Sequence, residues 1–452
     1  MKLKRTPTQT NKAMMYGRIL LVSLVIQSAC FTSCSNQQST DKMLSVEAMQ
    51  SPSGVKSSEP NLHVGNDQLV YLSWVETSAD QNTSLYYSNI HQKVWSQKTE
   101  ISQGDNWFVN WADFPSISAF GKGSIASHFL VQSGEDTYAY DVNVSISNDQ
   151  GTTWSNPITP HTDSTLTEHG FVSMVPYKEE VLAVWLDGRN YELIQESDTV
   201  PSNEMTLRSA VIDKNGQISE ELLIDSRVCS CCQTDAALVS TGPILVYRDR
   251  TEAEIRDISV VRLINGKWTK PQAVFNDNWE INGCPVNGPA IDVKGDVAAV
   301  AWFTEAAGVP KIKVAFSTND GQTFEDAFLI SDSKPSGRVD LIVLDDGSAL
   351  ISWLETALGQ TSIKACRVYL DGAIEKPFIV SQSSASRSSG FPKMVMKNDT
   401  VYFAWTEVGE SLSVKTAYRI MTPTFGLIKK PVLENVIPFT AFSNRFNNLN
   451  TY

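Results

Sequence analysis

Basic residues are scarce in this chain: 37 Lys and Arg stand against 50 Asp and Glu over 452 residues, a formal net charge of −13. A surface of that sign repels nucleic acid and anionic lipid, so nucleic-acid partners are excluded and an anionic ligand has to be caught by a local basic pocket. Long apolar runs are scarce too. The pronounced one is ILLVSLVI near the N-terminus, preceded by Lys2, Lys4, Arg5, Lys12 and Arg18, and it is too short to cross a bilayer as a helix. No second such segment follows, so a transmembrane protein is not indicated. With 42% hydrophobic and 19% charged residues, a disordered chain is not indicated either.

The basic start, the short apolar run and the following SACFTSC read as an export signal over residues 1–34. Phe31-Thr32-Ser33-Cys34 resembles a bacterial lipobox, whose Cys34 becomes the acylated N-terminus; Cys30, with polar Gln27 before it, fits less well, and a plain secretory signal is the alternative. Five basic and no acidic residues lie in this segment, so the remainder carries 32 basic against 50 acidic side chains, a net charge of −18. The expected location is the bacterial cell envelope, on its outer-membrane or periplasmic side, attached through the lipid alone. Secretion is the alternative.

After a Ser-rich stretch, residues 35–58 read as a tether with a spare strand, MLSVEAM. Residues 59–452 read as one repeat architecture. Short apolar strands end on Trp74, Phe129, Trp185, Tyr247, Trp302, Trp353 and Trp405, at intervals of 51 to 62 residues. A period of this length, built from four short strands, is that of a β-propeller blade. The fold class is therefore all-β, a β-propeller with seven blades preferred over six, and MLSVEAM is expected to close the ring on the last blade.

SISNDQGTTW (Ser145–Trp154) reads as a hairpin whose turn is held by its own side chains. Ser147 and Asp149 accept from turn N–H groups, Gly151 takes a positive φ and Trp154 packs beneath. STNDGQTF repeats it with Ser317, Asn319, Gly321 and Phe324, and Ser88 with Trp95 keeps the spacing of a worn copy. The pattern resembles the Asp-box of the sialidase superfamily, and the stretches WFVNWADFP, YRDRTEAEIRD and GCPVNGPA resemble a bacterial group of exported sialidase-like proteins. The resemblance implies an exo-glycosidase of exo-α-sialidase type acting on surface or environmental glycans. It also implies three Arg on a sugar carboxylate, a Tyr nucleophile activated by Glu, and an Asp acid/base. A non-catalytic propeller binding a glycan or protein is the second reading.

The Arg-Ile-Pro motif of sialidases is absent, and no Tyr begins an inner strand. What is present collects where the inner strands begin. Asp113 is a candidate acid/base, and Glu168 with His169 is another candidate pair. Arg338 and Arg387, at comparable places in adjacent blades, suit an anion clamp, with Arg189 or Arg250 as a third member. Asp235, Asn287 and Asp340 add polar groups, giving a polar funnel open to a glycan or small anionic ligand. Acids also follow the strand-end aromatics: Glu76, Asp187, Asp249, Glu355 and Glu407 by two residues and Glu305 by three. A ring of six exceeds what catalysis needs, so capping or pairing is the preferred role. No cofactor is implied.

Cys229, Cys231, Cys232 and Cys284 fall at adjacent inner-strand starts. In an exported protein two disulfides are the default, with Cys232 to Cys284 the preferred bridge because the two residues align. The run Cys-x-Cys-Cys departs from common zinc spacing. Copper or zinc on thiolates with His169 is the lesser alternative.

Overall fold

The computed structural model describes residues 45–191 and 204–421; residues 1–44, with the proposed signal and Cys34, lie outside them. The described chain forms seven separate antiparallel sheets around a central axis, a seven-bladed β-propeller. In the sixth blade, for example, Pro335–Val343 is the inner strand A, Ala349–Ala357 strand B, Gln360–Val368 strand C and Phe378–Ser383 the outer strand D. Strand B of each blade is packed on both faces by neighbouring blades. That explains why these strands read as continuous apolar runs rather than as an alternation; Trp74, Trp185, Trp302 and Trp353 are completely enclosed.

Three blades depart from the four-strand count, the first and fourth with five strands each and the second with three, and the seventh is completed differently. The second has three strands, Ser116–Phe120, Ser124–Gln132 and Tyr140–Ser147, and its fourth is reduced to a single bridge between Val144 and Ile158. The seventh has its fourth strand supplied from the far end of the chain. Glu47, Ala48 and Met49 pair with Tyr418, Ala417 and Thr416, so the expected closing strand closes the ring; its first two residues, Met43 and Leu44, lie outside the described residues.

The acids that follow the strand B aromatics are explained by strand period. Residues i and i+2 share a face, so a carboxylate two residues after a Trp reaches the indole N–H. Trp74 Nε1 donates to Glu76 at 2.8 Å, Trp185 to Asp187 at 2.9 Å and Trp353 to Glu355 at 2.9 Å. A cation closes each pair: Lys98, Arg189 and Lys364 respectively. Trp302 finds the same arrangement with Asp277 and Lys313. These carboxylates are scaffold, which is the role preferred for them from the sequence.

The hairpins at Ser147–Gly151 and Ser317–Gly321 fold as read. Ser147 Oγ donates to Asp149 and accepts from Gly151 N–H at 2.8 Å, while Asp149 accepts from Thr153. Ser317 and Asn319 repeat this around Gly321. Gly151 and Gly321 have φ of 84° and 67°, a region that penalises a side chain. The hairpins sit beside the A-to-B turns, where Gln150 N–H donates to Gly123 O and Asp320 N–H to Asp296 O. They therefore lie on the face opposite the starts of the inner strands.

Candidate functional site

Sheet register defines levels down the axis. Asn61, Ser116, Ser173, Asp235, Ala290, Asp340 and Lys393 occupy one level, each opposite the residue before its strand B aromatic. Two residues earlier stand Glu59, Phe114, Phe171, Gln233, Gly288, Arg338 and Phe391. The mouth is therefore partly aromatic rather than the continuous polar funnel expected. The segment Trp107–Phe114 runs across it: Trp111 stacks on Phe391 with ring centroids 5.9 Å apart, and Gln233 Nε2 donates to Ala112 O. Beneath it a channel of about 660 Å³ follows the inner strands toward the A-to-B turns.

The register also reassigns several candidates. Asp235 stands level with Ala290, not Asn287, which places Cys229 level with Cys284 and Cys232 level with Asn287. Arg338 stands level with Phe391, and Arg387 lies four residues earlier, in a short 3-10 turn at Arg387–Ser389. Asp235, Asn287 and Asp340 stitch neighbouring blades. Each accepts from an N–H of the next blade: Ile291, Arg338 and Met394 respectively. Burial raises the Asp235 pKa to about 7 and raises that of Asp340.

Asp113 and Glu168 come together through a residue the sequence reading missed. The Tyr140 hydroxyl lies 3.0 Å from Asp113 Oδ2 and 2.9 Å from Glu168 Oε1. Tyr140 begins strand C of the second blade, and stacking on Phe108 at 3.9 Å holds its ring. Asp113 Oδ1 accepts from Phe171 N–H at 2.7 Å, a donor turned inward by the positive φ of Phe171. Gly170 allows this approach, because a Cβ there would stand 2.1 Å from Asp113 Oδ2. Burial pushes Asp113 up to about 8, with the Glu168 charge adding, and pushes Glu168 up to about 7. Glu59, buried nearby, is raised by burial and by Asp113. Tyr140 and Asp113 are 1% and 2% exposed, whereas Glu168 is half-buried. Glu168 is thus the partly exposed member of the trio, and the raised pKa values of the two carboxyl groups suit general acid or base work near neutral pH.

His169 belongs to a different cluster beside this one. Its ring stacks on His161 with centroids 3.8 Å apart and planes 7° apart. Asp141 Oδ1 lies 3.4 Å from His169 Nδ1 at one edge, and Asp163 Oδ2 lies 3.3 Å from both His161 Nδ1 and His169 Nε2 at the other. Burial opposes a charge on His169, but Asp141, Asp163 and Asp187 outweigh it and raise its pKa to about 10. Asp141, His161 and His169 could supply three metal-ligand atoms, as could Asp163, His169 and Asp187. With the rings face to face, however, their in-plane lone pairs run parallel instead of converging, and Arg189 already occupies the second group, 3.1 Å from Asp163. The cluster reads as an imidazolium held by carboxylates, which positions Glu168 one residue earlier.

The remaining arginines are engaged. Arg189 binds Asp187 and Glu221, and Arg250 binds Glu254 and Glu204. Arg338 donates to Ser389 Oγ and to the carbonyls of Gly390 and Ser386, with its guanidinium 4.7 Å from the Trp111 ring centre. Burial and then the nearby Arg387 lower its pKa to about 10. Arg387 itself is exposed beside the mouth. Of the expected clamp, then, Arg338 and Arg387 lie near each other, while Arg189 and Arg250 are held by carboxylates elsewhere on the same face.

The cysteines differ from expectation. The bridge joins Cys231 to Cys284, not Cys232 to Cys284. Cys232 follows the chain inward, where Asn287 of the next blade is its neighbour, while Cys231 turns out toward Cys284. Cys229 and Cys232 are free and buried, their Sγ atoms 2.9 Å apart.

No protein-family model and no curated protein matches the chain. Among solved structures it is similar to a Hadza microbial sialidase, with 15% identity, TM-score 0.44, and coverage of 75% of this chain and 73% of that one. It is similar to the Penicillium chrysogenum α-L-arabinanase complexed with arabinobiose, with 10% identity, TM-score 0.46, and coverage of 84% and 98%. It is also similar to the Trypanosoma rangeli sialidase, with 12% identity and TM-score 0.41; the match takes in 73% of this chain and 56% of the trypanosomal one.

Proposed function

We propose that this chain is an exported propeller, anchored to the cell envelope through Cys34, that performs acid–base chemistry on a glycan with Glu168 as the group facing the ligand. The observation that carries this reading is the shared phenol. Asp113 and Glu168 both hydrogen-bond Tyr140 OH, so the two carboxyl groups lie within about 6 Å of each other. Both have pKa values raised toward neutrality by burial. Two coupled carboxyl groups of this kind are what glycoside cleavage asks for. Arg387 and Arg338 beside the mouth favour an acidic sugar. A sialoside is not favoured within that class, because Arg189 and Arg250 are neutralised and leave no third guanidinium for a sugar carboxylate.

The test is release of 4-methylumbelliferone from a panel of glycosides that includes a sialoside and a glucuronide. Glu168→Gln is expected to lower kcat by at least about 100-fold, and the wild-type pH profile is expected to turn near pH 7. The second reading, a glycan-binding propeller without a reaction, is favoured by the enclosure of Asp113 and Tyr140 beneath the Trp107–Phe114 segment. Glycan binding that survives Glu168→Gln, with no release from any substrate, would decide for it. The anchor is tested separately: palmitate labelling of the expressed protein should vanish in Cys34→Ser.

A further inference from the structure

Four sulfurs cluster between the interior and the surface, those of Cys229, Cys231 and Cys232 all within 4.8 Å of one another. Cys232 and Cys229 are 2% and 1% exposed, Cys231 is half-buried and Cys284 is exposed. Cys232 Sγ lies 2.9 Å from Cys229 Sγ, which lies 3.8 Å from Cys231 Sγ, which is bonded to Cys284. The two free cysteines are three residues apart, and the backbone N–H of Cys229 is pinned to Arg248 O. Two guanidinium groups border the inner pair. Arg256 Nη1 lies 3.5 Å from Cys229 Sγ and its Nη2 2.8 Å from Glu254, while Arg256 Nε is buried without a hydrogen-bond partner among the described residues. Arg248 is buried with only the carbonyls of Asn287, Arg256 and Phe303 as acceptors, so no carboxylate cancels it directly. Such surroundings favour thiolate over thiol. The Cys229 pKa is accordingly lowered: burial works against the charge, but Cys232, Arg248 and Arg256 outweigh it. Cys366 is the contrast: alone in a strand, it is pushed up to about 12 by burial.

We propose that these sulfurs form a thiol–disulfide relay, in which the buried dithiol Cys229/Cys232 exchanges with the surface disulfide Cys231–Cys284 and, through it, with small or peptide disulfides outside the protein. The steps balance within the chain. The Cys229 thiolate attacks Cys231 Sγ, so a Cys229–Cys231 bond forms, the Cys231–Cys284 bond breaks and Cys284 leaves as a thiolate at the surface. Cys232, giving up its proton, then attacks Cys229 Sγ; the Cys229–Cys232 bond forms and Cys231 leaves as the second thiolate, which takes the proton. Two electrons have moved outward, and the inner pair is now the disulfide. The surface dithiol then reduces an external disulfide to two thiols and returns to Cys231–Cys284. This scheme stands whether or not Glu168 acts on a glycan.

The test uses the full chain, equilibrated with reduced and oxidised glutathione over a range of ratios, quenched in acid, alkylated and mapped by mass spectrometry without reduction. The relay requires that molecules with one disulfide divide among the Cys231–Cys284, Cys229–Cys231 and Cys229–Cys232 pairings, in proportions that return when the ratio is reversed. Cys284→Ser should slow oxidation of the inner pair by at least about tenfold, since attack on a buried sulfur is limited by access. A single pairing at every ratio in the wild-type protein, which needs no variant to fold, would overturn the relay. Stoichiometric zinc or copper in the same sample, with the thiols protected from glutathione, would overturn it as well.

Discussion

The two ends of the propeller satisfy their polar groups differently. In the two hairpins beside the A-to-B turns the serines bond locally, Ser147 reaching residues two and four away and Ser317 doing the same, while Asn148, Gln150 and Asp320 reach other blades. On the face where the inner strands begin, partners come from other blades. Tyr140 reaches back 27 residues to Asp113 and forward 28 to Glu168, and Arg248 reaches Phe303 across 55 residues. Buried atoms there, Glu59 Oε2 and Arg256 Nε among them, have no hydrogen-bond partner among the described residues. Local satisfaction makes a stable scaffold. Incomplete satisfaction in a buried setting holds groups at protonation states that water would not allow, which is what a reactive site needs.

Removing a long-range tie should cost most. Arg248→Ala leaves three enclosed carbonyls without a donor, and an expected loss of about 3–5 kcal/mol in urea unfolding follows from uncompensated burial. A loss below about 1 kcal/mol would mean that this face is no more tightly specified than the other.

Next comes a dependence on pH. Asp113, Glu168 and Asp235 have folded pKa values of about 8, 7 and 7, above the ordinary carboxyl range. Between about pH 4 and 8 the folded state therefore holds protons that the unfolded chain has released, so these groups make stability fall as pH rises. Glu254, held down to about 2 by Arg250, acts only at lower pH. Asp113→Asn should remove its share, on the order of several kcal/mol across that window. The difference in Tm between variant and wild type should grow in the variant's favour from pH 4.5 to 8. A constant difference would show that Asp113 ionises freely.

The smallest effect belongs to the hairpins at Ser147 and Ser317. Ser147→Ala and Ser317→Ala should each cost about 1 kcal/mol, for one local hydrogen-bond acceptor lost. They should agree with each other within about 0.5 kcal/mol. A marked inequality would mean that one hairpin carries load from outside its own turn.

The same contrast governs what could be read before the fold was known. Blade number, strand-end aromatics, the scaffold role of Glu76, Asp187 and Glu355, and the hairpins at Ser147 and Ser317 follow from periods of two and fifty-odd residues, which a linear chain displays. The closing strand was visible because it was left over. Tyr140 was not visible, because its role depends on two carboxylates in the flanking loops and nothing in AYDVNVSIS marks it. The bridge was assigned to Cys232 by aligning motifs, yet a bulge or extra residue before an inner strand shifts such an alignment; Cys229 is the residue level with Cys284. His161 and Asp163 sit in an irregular stretch whose path no period describes, and Asp141, in strand C beside Tyr140, carries no mark of its partners in the sequence. By sequence Arg338 and Arg387 look equivalent, but the 3-10 turn at Arg387 carries that side chain out of register.

The closing strand has a consequence for how the molecule is made. Ala48 pairs with Ala417, so during synthesis the earlier segment waits for one made several hundred residues later. At ordinary synthesis rates of 5–20 residues per second, that wait is roughly 20–70 s. Throughout it, Glu47–Met49 is an unpaired strand, and when Leu412–Ile420 arrives it is an unpaired edge. Either can be answered by a second nascent copy, since the register Glu47 to Tyr418 and Met49 to Thr416 is the same between two chains as within one. The latch that closes the ring within one chain thus also defines the seam along which two rings would exchange strands.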